Sequence, residues 1–488
     1  MTAAEERHDP DRPVHEHAWE DALEPRHLIN RCDVILRVGA AMLASGTGAR
    51  RVVETMRQVG QALDLDQIQT RVSLTEIVLT VHRRGITRTQ TAEIPSPGVN
   101  ADQIAALQDF ARRLPAHVTV ADVNAGLDAI LHRPKQWPAW ASPIGAGAAC
   151  GAFAFLNHVG PVQIGAVFAA ALVGQLLRRA LHRRHFNQLA MAFLAAVLAG
   201  TVFLGVTWGL DRTVVDGPGL ALEAGFFSSI LFLVPGFPLI TAALDLARLD
   251  LEAGITRFTY AALLTFAAGF GVWSIALLAG VEPGKAAVIG IPSLGLVLAQ
   301  MLASFLGVFG FAVIFNSPPL VALAAGGIAL VANPLRLLLV AEGWPAQTSA
   351  AIATLVVGLL AWLVGRTTHL PRIILSVPSV VIMIPGVAAF RALAHINDGD
   401  LVAGLNLGIS SIMTVLGMAI GLVAARTLTD PQWAFSTPNP PSYSALVRRL
   451  ERMQRHGDAL VEQVAPGILG QVHAADRQRP VDGGAALA

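Results

Sequence analysis

The sequence predicts a polytopic α-helical membrane protein with about ten transmembrane helices in two inverted five-helix repeats, preceded by a small α+β cytoplasmic domain. Three observations predict it. The first is composition: of 488 residues, 53% are hydrophobic and 14% charged, against roughly 25% charged in a soluble protein. The second is uneven placement. Residues 1–137 are rich in Arg, Asp, Glu and His, residues 139–428 hold nearly all the long apolar runs, and residues 429–488 are polar again. The third is repetition. "SSILFLVPGFPLITAALDLARLD" (Ser228–Asp250) and "SVVIMIPGVAAFRALAHINDGD" (Ser379–Asp400) each interrupt an apolar run with Pro-Gly and then carry acids.

The soluble part comes first in the chain. Residues 1–26 form a tail whose charge and proline content favour disorder. It lacks the apolar core of a signal peptide, which places the first hundred-odd residues in the cytoplasm. His8, His15 and His17 read as solvated, since no Cys or ordered carboxylate framework accompanies them. Cys32 and Cys150 are the only cysteines, too few for a disulfide or zinc framework, and read as packing residues. No metal and no cofactor is expected. The net charge of +1 averages a charged soluble part with a nearly neutral membrane part. It gives no reason to expect a nucleic-acid partner.

Within 27–137, Ile29, Val34, Ile35, Val38 and Met42, then Val52, Val53, Met56, Val59 and Leu63, recur with helical spacing. Ser45–Gly48 suits a turn between them, with Thr47 as a cap for the helix from Ala49. Asp66–Leu74, Glu76–His82 and Thr87–Ile94 are rich in β-branched residues, and the Gly85 turn marks a hairpin. Asp102–Arg113 and Val120–Leu131 read as helices. The result is helices packed on an antiparallel sheet.

The membrane part divides into spans at 141–157, 162–177, 189–210, 219–243, 255–280, 287–315, 318–333, 347–365, 373–393 and 404–425. Arginine-rich "RRALHRRH" (Arg178–His185), "GRTTHLPR" (Gly365–Arg372) and "VRRLERMQRH" (Val447–His456) belong on the cytoplasmic side. Ten spans with both termini inside satisfy all three. The domains are then 138–283 and 284–428, five spans each, with a cytoplasmic tail at 429–488 carrying an amphipathic helix near Tyr443–Val464.

At an offset of 150 without a gap, Pro235 and Gly236 fall on Pro385 and Gly386, and Asp250, Leu251, Ala253 and Gly254 on Asp400, Leu401, Ala403 and Gly404. This reads as an internal repeat. Five is odd, so consecutive units enter the bilayer from opposite sides. The loop with Arg248 and Arg257 reads as inner, and its counterpart Ala394–Gly404, without Lys or Arg, as outer. Inverted repeats with broken helices are how many secondary transporters build a midplane site. Freed backbone groups at such breaks are tolerated where they line a cavity or are buried in protein. They suit a zwitterion, whose carboxylate prefers helix N-termini. A proline kink made for packing is the alternative for either break alone.

Candidate substrate-binding or helix-break residues are Pro235, Gly236, Thr241, Ser229, Pro385, Gly386, Ser379, Arg391 and Asn406, with Ser228, Ser410 and Ser411 nearby. Hydroxyls in such helices more often bond a carbonyl one turn back. Candidates for carrying a proton are Asp245, Glu223, Asp250 and Asp400, since ionisable residues in spans are costly and usually functional. For Asp250 and Asp400 a helix N-cap is the alternative. No G-x-x-x-x-G-K-[ST] loop is present, which leaves coupling to an ion gradient.

"MLASGTGARRVVETM" (Met42–Met56), "GVNADQIAALQDFARRL" (Gly98–Leu114) and "IPGVAAFRAL" (Ile384–Leu393) resemble the bacterial threonine/serine exporter family, over roughly residues 27–428. The resemblance implies a multi-pass protein of the inner membrane that exports L-threonine and L-serine, driven by the proton motive force. Relatives split over two chains are linked to dicarboxylate export, so a dicarboxylate remains the alternative substrate. A homo-oligomer is left open. The N-terminal domain motif would be Ser45, Gly46, Arg51 and Glu54. A hydrolase reading of that domain finds no nucleophile–base pair, with His82 the one central histidine nearby. The domain reads instead as a gate or assembly domain.

Overall fold

The computed structural model describes residues 26–83, 86–94, 97–214, 222–280 and 292–434. The N-terminal tail, the Gly85 turn and the Tyr443–Val464 segment therefore lie outside the described residues. The first helical stripes become α1 (Arg26–Ala44) and α2 (Ala49–Ala62). Ile35, Val38 and Met42 on α1 meet Val52, Met56 and Val59 on α2 in one buried core. Strands β1 (Gln67–Val72), β2 (Glu76–Arg83) and β3 (Ile86–Glu93) form an antiparallel sheet in the order β1-β2-β3. In β2, Ile77, Leu79 and Val81 alternate into the core. This is the period of two that a half-buried strand requires. Helix α3 (Ala101–Arg113) starts at Asn100, whose side chain accepts the Gln103 N–H, and α4 (Val120–Leu131) starts at a Thr119–Asp122 capping box.

One expectation fails locally. The N-cap of α2 is Gly48, with no side-chain cap bond, and the buried Thr47 hydroxyl has no partner. The turn instead aims the Thr47 carbonyl at Arg257, whose Nη2 donates to it at 3.2 Å.

The membrane part has ten helical positions among the described residues. The first five are α5 (Ala141–Leu156), α6 (Pro161–Arg183), α7 (Gln188–Val214), a broken segment and α10 (Leu251–Leu278). The broken segment is α8 (Leu222–Ser229), a 3-10 turn at Leu231–Leu233, and α9 (Gly236–Leu246). The next five are α11 (Leu294–Ile314), α12 (Pro319–Ala341), α13 (Ala346–Thr368), the pair α14 (Arg372–Val381) and α15 (Gly386–Asn397), and α16 (Leu401–Thr429). Seven of these helices are long and apolar enough to cross a bilayer, and α14 with α15, bent by 44°, makes an eighth. The sequence reading of ten spans thus becomes seven or eight by length and composition. Helix α5 has 16 residues, a rise of about 24 Å against a hydrocarbon core of about 30 Å. The α8–α9 segment is broken into pieces shorter still.

Packing runs in parallel in the two groups. Helix α5 packs on α6, α6 on α7, and α7 and α9 on α10; correspondingly α11 packs on α12, α12 on α13, and α13 and α15 on α16. Helices α5 and α11 join the groups. Their backbones approach so closely that a Cβ on Gly310 would collide with the Gly145 carbonyl. Small residues permit this approach between membrane helices. Apolar side chains such as Phe266, Leu278, Val402 and Ile420 point outward and are exposed, as a surface facing lipid requires.

Candidate functional site

The two Pro-Gly breaks have one geometry. Pro235 adopts φ −79°, ψ 64° and Pro385 φ −78°, ψ 52°. The Gly236 N–H donates to the Val234 carbonyl and the Gly386 N–H to the Ile384 carbonyl, both at 2.8 Å. Leu239 bonds back to Pro235 as Ala389 does to Pro385. The match continues past the break: Asp250 N–H donates to the Asp245 carbonyl and Asp400 N–H to the His395 carbonyl. Leu249 and Gly399 both turn left-handed, at φ 63° and 84°. Each pair is 150 residues apart.

The breaks also touch each other's halves. A Cβ on Gly236 would lie 2.9 Å from Val381 Cγ2 and 3.1 Å from Ile384 Cδ1, just before the second break. A Cβ on Gly386 would overlap the Phe227 ring, just before the first. Phe227 is held between Phe153 and Phe390, with ring centroids 6.4 and 6.2 Å away. The close approach leaves no room for a Cβ at Gly386 and little at Gly236.

The first break lines a cavity of about 620 Å³. Gly46, Asn100 and Trp137 wall it from the N-terminal region. Lys135, Arg178, Arg179 and Arg257 supply positive charge, and no Asp or Glu is among its described lining residues. Such a lining favours a ligand with an anionic group.

Asp245 joins the two regions. It is buried, pairs with Arg257 Nε at 3.7 Å, and lies against Gly48 at the start of α2. Gly48 leaves room for its carboxylate, since a Cβ there would lie 3.1 Å from Asp245 Oδ1. Around it the Asn316 amide donates to Asn100 Oδ1 at 3.0 Å, the Gln136 N–H to Asn316 Oδ1 at 2.9 Å, and Trp137 Nε1 to the Ser317 carbonyl at 2.7 Å. The sequence reading takes Arg257 only as a charge of the inner loop and gives it no role in the site. Its signal was a single arginine inside the fifth apolar run.

The other sequence-predicted residues divide as follows. Ser229 donates to the Phe226 carbonyl, Thr241 to Phe237 and Pro238, and Ser379 to Leu375 and, across helices, to Ala325. All three hydroxyls are buried and engaged with backbone. Arg391 is half-buried on α15, and Asn406 is exposed on α16. Asp250 is half-buried near Arg50 and Arg248; burial raises its carboxyl above the usual range, and the two arginines oppose that. Asp400 is exposed and caps α16 by accepting the Ala403 N–H at 3.1 Å. The Glu223 side chain falls outside the described residues. Ser45 Oγ donates to the Ala41 carbonyl and reaches Gln103 Oε1 at 3.1 Å. Gly46, at φ 96°, makes the turn that brings Gly48 and Ala49 to Asp245. Arg51 and Glu54 pair at 3.4 Å near the surface, where Arg50 also engages Glu54 at 2.7 Å.

A family model described as "Putative threonine/serine exporter" matches residues 33–279, and a second, "Threonine/Serine exporter, ThrE", matches residues 300–428. The chain belongs to the threonine/serine exporter family. The first match spans the N-terminal region and the first break, and the second match spans the second break. Among relatives, the "Probable threonine/serine exporter" of Mycobacterium tuberculosis is 25% identical over 463 residues, 88% of this chain and 84% of that protein. The "Threonine/serine exporter" of Corynebacterium glutamicum is 24% identical over 450 residues, 86% of this chain and 88% of that one. The "Probable succinate transporter subunit YjjP" of Escherichia coli is 29% identical over 238 residues, 49% of this chain and 90% of that protein. No solved structure matches the chain. As a member of an exporter family the chain is a multi-pass membrane transporter.

Proposed function

We propose that this family member exports L-threonine and L-serine from the cytoplasm in exchange for protons. Its path would run between two inverted five-helix halves, 138–283 and 284–428. The observation that carries this reading is the interlock of the two breaks, each closed by the residues before the other, with the first opening on the cavity. Two interrupted helices meeting across equivalent halves supply backbone groups for a zwitterion where hydrocarbon would otherwise forbid them. The orientation follows from arginine placement. Arg178, Arg179 and Arg183 at the end of α6, with Arg184 just after it, favour a cytoplasmic side for residues 27–137, and both termini and the 429–488 tail would then be cytoplasmic as well. Asp245 is the favoured proton carrier because, of Asp245, Asp250 and Asp400, it alone is buried, between the N-terminal region and the broken helix. The test is uptake of labelled threonine by everted vesicles under an imposed proton gradient. Gradient-independent flux, or none, would refute the reading.

A second substrate class is favoured by a specific observation. The cavity is cationic with no acid among its described lining residues, and one set of relatives carries the name succinate transporter subunit. A dicarboxylate would then use the same path. Competition decides it: succinate should displace threonine only under this second reading.

A further inference from the structure

The two helical groups share another feature, at a different spacing. Helices α6 and α12 both have 23 residues and both begin with proline, Pro161 and Pro319. The fifteenth residue of each is an amide, Gln175 or Asn333, and the eighteenth is an arginine, Arg178 or Arg336. Gln175 Nε2 donates to Ser142 Oγ on α5 at 2.9 Å, and Asn333 Nδ2 donates to Ser304 Oγ on α11 at 2.9 Å. Arg178 Nη1 donates to Gln175 Oε1 at 3.4 Å, and Arg336 Nε donates to Asn333 Oδ1 at 3.0 Å. The two amides are buried, 3% and 0% exposed, and the two arginines are half-buried. Among the described residues no carboxylate pairs with either guanidinium.

This is the same three-residue device built twice. A serine fixes a buried amide, and the amide carbonyl fixes the guanidinium. An arginine has five N–H donors in a planar fork matched to a carboxylate. Here one donor is committed to the protein and the others remain for a ligand. A partly buried guanidinium is costly unless it serves a partner. Arg178 faces the cavity beside the first break, where no acid is among the described lining residues.

We infer that Arg178 and Arg336 are a repeat-related pair of binding residues for the carboxylate of the transported solute, one in each half. Arg178 takes the carboxylate in the cavity beside the N-terminal region, and Arg336 takes it on the other side of the bundle. Ser142, Gln175, Ser304 and Asn333 are positioning residues. The inference rests on the export reading, and it applies to any solute with a carboxylate, amino acid or dicarboxylate.

The test uses the purified full chain, with equilibrium binding of labelled L-threonine and succinate in detergent and flux in proteoliposomes. Arg178→Gln should weaken binding of whichever solute binds by about 30-fold or more, because a hydrogen-bonded charge pair loses one partner. Arg178→Lys should fall between, since it keeps the charge and loses the fork; it also serves if the Gln variant does not fold. L-Threoninol, which lacks the carboxylate, should compete equally weakly in wild type and Arg178→Gln. Arg336→Gln should raise KM for solute presented from the opposite side. Ser142→Ala should raise KM with kcat unchanged. Wild-type flux with unaltered binding and KM in Arg178→Gln and Arg336→Gln would overturn this inference and leave export standing. Arginine-dependent binding without proton-driven flux would overturn export and leave the site. A wild type that binds neither solute would overturn both.

Discussion

Asp245→Ala removes the one acid that ties the broken helix to both the N-terminal region and Arg257. Breaking a buried ion pair by deleting one partner costs about 3–5 kcal/mol, because the other charge stays buried and uncompensated. Two observations place this case near about 3 kcal/mol on that scale. The pair is 3.7 Å apart with no hydrogen bond between Oδ2 and Nε, and Arg257 keeps its bond to the Thr47 carbonyl. Asp245 also packs against Gly48 at the start of α2, so the loss falls on the contact that holds the N-terminal region to the bundle. About 3 kcal/mol corresponds to roughly a hundredfold rise in the undocked population. Tryptic cleavage after Lys135 reads it. The next residue, Gln136, is tied to Asn316, so a protease needs the undocked form, and slow cleavage tracks its population. Cleavage in Asp245→Ala should rise roughly a hundredfold, and Asp245→Leu with Arg257→Met should restore much of the protection, because an apolar pair carries no stranded charge. A rise under about threefold, or a double variant as labile as the single one, would show that this contact does not hold the domain in place.

Gly386→Ala should cost about 2–3 kcal/mol and Gly236→Ala about 1 kcal/mol, since the first would overlap a clamped Phe227 ring and the second meets side-chain ends at 2.9 and 3.1 Å. Thermal unfolding midpoints in detergent give the order, and a reversed order would contradict it. Cys32 is fully buried and its thiol is pushed up to about 11 by burial. Maleimide should therefore leave it unlabelled in the folded protein at neutral pH and label it after unfolding, as rapid native labelling would disprove. Burial raises the Asp250 carboxyl, so its ionised form is less favourable folded than unfolded. The stability this group lends is present at low pH and lost as pH rises through the raised value. Asp250→Asn should unfold at a slightly higher temperature than wild type at pH 7, with the difference gone below about pH 4; a lower midpoint at pH 7 would reverse the assignment.

Much of this architecture is legible in the sequence, and the misses have physical causes. The β-branched runs and Ser-Gly turn mark a small α+β unit because pattern and turn chemistry act locally. The breaks are legible because Pro-Gly in an apolar run has few other uses, and the offset of 150 is carried through the hydrogen bonds around them. The arginine pair was hidden by the way spans are bounded. Hydropathy ends the second span before Arg178, while the structure continues α6 to Arg183. The seventh span stops before Pro334, while α12 runs through it to Ala341. Those bounds leave both arginines outside the spans. Their spacing is also 158 rather than 150, because the stretch from the start of α7 to the start of α8 is eight residues longer than that from the start of α13 to the start of α14. The ion pair of Asp245 joins residues on successive helices and needs the fold to bring it together. So does the duty of Thr47, where a cap was expected and a carbonyl acceptor is found.

The interlocked glycines also say something about how the chain tolerates being cut. Val381 and Ile384 fill the space over Gly236, and Phe227 fills the space over Gly386, so each half completes the other's crossing point without help from the peptide link between them. A nick between Gly280 and Pro292 should leave two fragments that copurify, and separately expressed fragments should find each other in the membrane. The covalent joint then sets stoichiometry and synthesis order, and shape complementarity does the rest.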